Sequence, residues 1–102
     1  MKARDPMRGK RRPTSPGEIL QEEFLTPLGL TQKALAQHVG CDVKVINRIV
    51  NRRTSISAEM ALRLGAALRT SAEFWLNAQR ASDLFEAATR VKDLPPPLRG
   101  TA

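Results

Sequence analysis

Apolar residues recur along this chain at intervals of three and four, and no stretch alternates with period two over a useful length. Such spacing lines one face of an α-helix, so the pattern predicts an all-α fold without a sheet. Five helices follow from the starts and stops of the pattern. Ser15-Pro16-Gly17-Glu18 forms a capping box with proline at the first helical position, so the first helix is expected from Pro16 to about Leu25, ended by Pro27 and Gly29. Thr31 caps the second, with Leu30 and Leu35 placed as a hydrophobic staple, and Gly40 ends it. Asp42 caps the third, Val43 to about Val50. Ser57 caps the fourth, which carries Met60, Ala61, Leu64 and Leu68, and Ser71 caps the fifth, Ala72 to about Thr89.

The third helix differs in kind from the others. Ile46, Ile49 and Val50 point one way, while Val43, Lys44, Asn47 and Arg48 point the other. The turn centred on Gly40 is too tight for antiparallel helices, and Ala36 is small enough to let the two cross closely. That is a helix-turn-helix, whose second helix enters the DNA major groove by its N-terminal part. Lysine and arginine donate to guanine O6 and N7, asparagine binds adenine bidentately, and valine touches a thymine methyl. Val43, Lys44, Asn47 and Arg48 are therefore the candidate base-reading residues. Thr31 and Gln32, at the positive end of the second helix, and Asn51, Arg52 and Arg53, just past the third, are the candidate phosphate contacts. Asp42 caps well but sets a carboxylate close to those phosphates.

Charge sharpens this picture. The net charge is +7 over 102 residues, yet six of the basic residues lie in residues 1–12 against Asp5 alone. The rest of the chain holds eleven basic and nine acidic residues, so the extreme pI of about 10.8 mostly reports a tail. Within the helices, Thr31 to Arg53 has five cations against Asp42, the pattern of a polyanion-binding face. Residues 1–13 are read as a flexible basic tail, 14–90 as one domain and 91–102, with Leu94-Pro95-Pro96-Pro97-Leu98, as a proline-rich tail. No apolar run spans a bilayer and no signal-peptide pattern is present, and the single Cys41 suits a reducing compartment, so a cytoplasmic location is expected.

Enzyme chemistry finds little support. The one histidine, His38, and Cys41 lie three residues apart, but a metal site needs more ligands and a Cys–His nucleophile needs an orienting group. No catalytic residue, metal, cofactor or small-molecule substrate is expected. On the fifth helix Phe74, Ala78, Ala81 and Phe85 make one apolar stripe, expected to face the core. Leu76, Leu84, Ala87 and Val91 make a second, available to a symmetric partner as a dimer interface.

A resemblance covers about Thr14 to Ala88. The segments Pro16-Gly17-Glu18-Ile19-Leu20, Glu23-Phe24-Leu25-Thr26-Pro27-Leu28-Gly29-Leu30, Ile46-Asn47-Arg48-Ile49-Val50-Asn51, Glu59-Met60-Ala61-Leu62-Arg63-Leu64 and Phe74-Trp75-Leu76-Asn77 together resemble the HigA family. These are antitoxins of host-inhibition modules, within the lambda-repressor-like helix-turn-helix group. The resemblance implies a five-helix homodimer that binds its own operator, represses its operon and neutralises a HigB-type mRNA-cleaving toxin. By position it implies a phosphate role for Gln32, base reading for Val43, Lys44 and Arg48, and backbone contacts around Asn51. Two positions depart from the family pattern: Asp42 stands where Ser or Thr is usual, and Arg52 where glycine is usual. The second departure predicts either a left-handed Arg52 or an altered loop. Two other readings of the same scaffold are a phage-type or housekeeping repressor without a toxin, and a protein- or RNA-binding adaptor.

Overall fold

The structure, a computed structural model, describes residues 11–99. Residues 1–10 and 100–102, which hold most of the basic tail and the end of the proline-rich one, lie outside the described residues. Among the described residues every regular element is helical. The first helix, α1, is a continuous run over residues 16–28. The others are α2 (Gln32–Val39), α3 (Val43–Val50), α4 (Ala58–Leu68) and α5 (Ala72–Arg90).

Each helix starts where a side-chain oxygen can take an orphan backbone N–H. Ser15 Oγ accepts from the Glu18 amide at 3.2 Å and donates to Glu18 Oε1 at 3.0 Å, with Pro16 next to it in the first turn. Thr31, Asp42, Ser57 and Ser71 cap α2 to α5 at 2.8–3.1 Å. Gly29 and Gly40 close α1 and α2 with positive φ. Arg69 closes α4 in the same left-handed conformation without a glycine's freedom.

The end of α1 departs from expectation. Helix continues through Pro27 to Leu28, because Leu20–Leu25 forms a wider, π-type turn in which the Thr26 amide donates to Gln21, five residues back. A proline in a regular helix interior presses on the carbonyl four residues earlier and leaves it without a donor. A widened turn immediately before it relieves both demands.

The core gathers Leu20, Leu25, Leu35, Ala36, Ile46, Ile49, Ala61, Leu64 and Trp75. Trp75 is fully buried, its indole N–H donating to Thr70 Oγ1 at 2.7 Å and its ring packed between Phe24 and Phe74 at 5.5 and 5.1 Å. The core side of α5 is thus centred on Trp75, with Leu76 and Ala78 half-buried against the cluster. This corrects the stripe expected to face inward, since Phe74 and Ala81 are exposed. The difference is one of helix rotation: the ring offering most apolar area takes the innermost position. Of the other stripe, Leu84 stands 50% exposed and Ala87 is half-buried. Val91 caps the helix end in an extended conformation.

One close approach sets where α3 sits. A Cβ on Gly17 would collide with the Ile49 carbonyl oxygen and lie 2.8 Å from that of Val50. Only a glycine lets the first turn of α1 rest on the C-terminal end of α3.

Candidate nucleic-acid interface

The turn joining α2 to α3 is built from backbone. Gly40 adopts φ +81°, and the amides of Gly40 and Cys41 both donate to the Ala36 carbonyl at 2.9 Å. Ala36 is buried, and its small side chain lets α3 pack against α2. Ile46 and Ile49 seat α3 in the core, while Val43, Lys44, Asn47 and Arg48 face solvent. The four expected base-reading residues therefore share one exposed face.

These four residues, with Gln32 and Arg53, line an open cleft of about 420 Å³. Asn47 Nδ2 donates to Gln32 Oε1 at 3.1 Å, tying the start of α2 to the middle of α3. One amide hydrogen of Asn47 is spent this way. The second hydrogen and Oδ1 stay available as a donor–acceptor pair, the combination that adenine N7 and N6 call for. Thr31 Oγ1 is engaged in capping Ala34, and the first-turn amides at Gln32 and Lys33 have no partner within their own helix. They form a donor-rich, positive helix end at the rim of the cleft.

The residues after α3 divide. Asn51 Nδ2 donates to the Asn47 carbonyl at 3.0 Å and satisfies the helix end. Arg52 adopts φ +58°, the left-handed one of the two conformations anticipated for it. Its guanidinium turns toward α1 and lies 3.6 Å from Glu18, away from the base-reading face. Arg53 lines the cleft beside Asn47 and Arg48. The structure thus brings Arg53 to the expected site and sends Arg52 elsewhere. Among the described residues Lys33, Lys44, Arg48 and Arg53 enter no ion pair, whereas Arg12, Arg52 and Arg63 do. The Asp42 carboxylate is turned onto the Lys44 amide at 2.8 Å as a helix cap.

Two contributors had only faint signals in the sequence. Gly17 sits inside the capping box, where nothing local shows that it meets the backbone of α3. Arg63 follows Glu59 by one helical turn, a spacing that predicts a surface pair, yet it also reaches the α2–α3 turn, donating to Val39 O at 2.7 Å. His38 is exposed, and Cys41 is half-buried, with its thiol pushed up chiefly by burial. Among the described residues no three His, Cys, Asp or Glu side chains come together as a metal-binding group. No helix of the described residues is long and apolar enough to cross a membrane.

Two short helices joined by a glycine turn, the second with a buried apolar side and an outward cationic one, define a helix-turn-helix protein, and the helix-turn-helix family matches residues 21–75. Antitoxin HigA-1 of Vibrio cholerae serotype O1 is 43% identical over 84 residues, 82% of this chain and 79% of that one. Among solved structures, Pseudomonas aeruginosa antitoxin HigA with the higBA promoter superposes with a TM-score of 0.75 at 42% identity, over 78% of this chain and 86% of that one. Antitoxin GraA in complex with its operator does so at 0.73 and 41% identity, over 84% and 95%. The chain belongs to the HigA family of helix-turn-helix antitoxins.

Proposed function

We propose that this chain is a DNA-binding antitoxin that represses its own operon as a homodimer and neutralises a HigB-type, mRNA-cleaving toxin in the cytoplasm. The observation that carries the reading is the exposed face of Val43, Lys44, Asn47 and Arg48. Its cations have no carboxylate partner among the described residues, and its asparagine is already aimed by Gln32. In this reading Lys44 and Arg48 donate to guanine edges, Asn47 pairs with adenine, and Val43 meets a thymine methyl. Thr31 and Gln32 hold phosphate on one side of the groove, Asn51 and Arg53 on the other. Relatives solved with a promoter and with an operator support a DNA partner, and the antitoxin names of the relatives support a toxin partner.

A single copy covers one half-site. Pairing two copies through α5 raises the effective concentration at the second half-site without new base contacts. Leu84, half exposed on α5, together with Ala87, Val91 and the outer edge of Leu76, is the surface assigned to that pairing. Two measurements test the reading. The protein should prefer DNA from upstream of its own gene over a random duplex in a gel shift, and it should co-purify with the product of a toxin-like neighbouring gene. Leu84→Glu should give a helical monomer whose operator affinity is lower by at least about a hundredfold, since an unpaired buried charge costs several kcal/mol. A wild-type monomer at micromolar concentration in sedimentation would sink the dimer, and equal binding to both duplexes would sink the operator.

A further inference from the structure

Base reading requires α3 to be held at one angle to α2, and the connection between them is short and includes a glycine. The amides of Gly40 and Cys41 both go to Ala36, so the carbonyls of Val39 and Gly40, at the end of α2, must find donors elsewhere. Arg63 supplies them from α4. Its Nη1 donates to Val39 O at 2.7 Å and reaches Gly40 O at 3.3 Å, while Nη2 pairs with Glu59 Oε2 at 3.1 Å. Gly40 lies so close that an added Cβ would come within 3.1 Å of Nη1.

We propose that Arg63 is a positioning residue for DNA recognition: its guanidinium pins the α2–α3 turn and thereby sets the angle at which α3 meets the operator, without touching DNA. The proposal rests on the DNA-binding reading and adds a residue outside the base- and phosphate-contacting set. Arginine suits the task because its planar fork addresses two acceptors at fixed angles, and Glu59 holds the fork in place. A cation at the last carbonyls of a helix is also favoured by the helix dipole. Without it, water replaces the guanidinium and the turn depends on a left-handed glycine, the residue least able to restrain it. Lysine keeps the charge but is a single ammonium on a flexible stem. It cannot hold both carbonyls and Glu59 in the same way.

The test compares the full chain with Arg63→Met, which keeps an apolar stem, and with Arg63→Lys. Each is titrated with operator and random duplexes over a range of salt, and amide hydrogen exchange is followed at Cys41 and, as an internal control, at Ile49 and Leu64. Loss of one charge-assisted bond should speed Cys41 exchange by roughly tenfold or more while the control amides keep their rates. Operator affinity should fall by about tenfold for Arg63→Met and less for Arg63→Lys, with random-duplex affinity and salt slope kept. Equal losses on both duplexes with a salt slope shallower by about one would make Arg63 a phosphate contact and overturn the proposal. Unchanged Cys41 exchange would overturn it too, as would faster exchange at all three amides alike, the mark of general destabilisation. Should Arg63→Met fail to fold, Arg63→Lys decides by the same criteria. If the wild-type protein itself shows no operator preference, the DNA-binding reading fails, and the Cys41 exchange rate still decides whether Arg63 holds the turn.

Discussion

At its C-terminal end α3 is gripped from several sides: Gly17 of α1 lies against the Ile49 and Val50 carbonyls, Asn51 bonds the Asn47 carbonyl, and Arg52 is turned onto Glu18. Along its outward face the contacts are fewer. Asp42 caps the first turn and Gln32 steadies Asn47, but Lys44 and Arg48 extend into an open cleft without an acidic partner. The first is spent on contacts within the protein, whereas the second stays open to solvent. The neighbouring Arg52 and Arg53 condense the contrast into two residues. Arg52 is left-handed, and the two identical side chains take different directions, Arg52 toward Glu18 and Arg53 into the cleft.

Substitutions in the two regions should therefore be separable in stability and in DNA binding. The largest effect belongs to the gripped end. Gly17→Ala must push the α1 turn off α3 backbone that cannot yield, and should cost about 3 kcal/mol, the upper part of the range for overpacking. The thermal midpoint followed by circular dichroism should fall by roughly 12 °C or more, at about 4–8 °C per kcal/mol for a domain of this size. A midpoint within two or three degrees of wild type would mean that the approach of α1 to α3 is looser than the structure has it.

The open face should behave in the opposite way. Lys44→Ala and Arg48→Ala are each expected to weaken operator binding by about 1–3 kcal/mol, with far less lost on random DNA. Stability should stay within about 0.5 kcal/mol, as for other surface positions. Losses of the same size on both duplexes would reduce the two residues to phosphate contacts.

The smallest effects sharpen the contrast most. Arg52→Gly removes a left-handed cost of about 1 kcal/mol and gives up an exposed ion pair worth about 0–1 kcal/mol, so the net stability change should be slight and toward stabilisation. Its salt slope on DNA should match wild type. Arg53→Ala should instead lower the slope of log affinity against log salt by about one, as expected for a lost phosphate contact. Fluorescence anisotropy at several salt concentrations measures both, and a shallower slope for Arg52→Gly would return that residue to the phosphate set.

Local chemistry made much of this molecule legible from residue types alone. All five N-caps, the glycine closures of α1 and α2 and the outward face of α3 depend on partners no more than four positions away, so a short window contains the whole interaction. The left-handed Arg52 was one of two alternatives, and it came from the family resemblance, which has glycine at that position, since glycine takes φ > 0 without strain. What such a window cannot contain is the direction a long side chain takes when its partner is distant in sequence. Arg52 meets Glu18 and Arg63 meets Val39 only because the packing of α1 against α3 and of α2 against α4 brings them together. The same holds for Gly17, whose need to be glycine is imposed by backbone over 30 residues away. It holds for α5 as well, where several apolar faces compete on one helix. Their spacing is nearly equivalent in sequence, and the choice fell to Trp75, which buries the most area in the space left between α1 and α4.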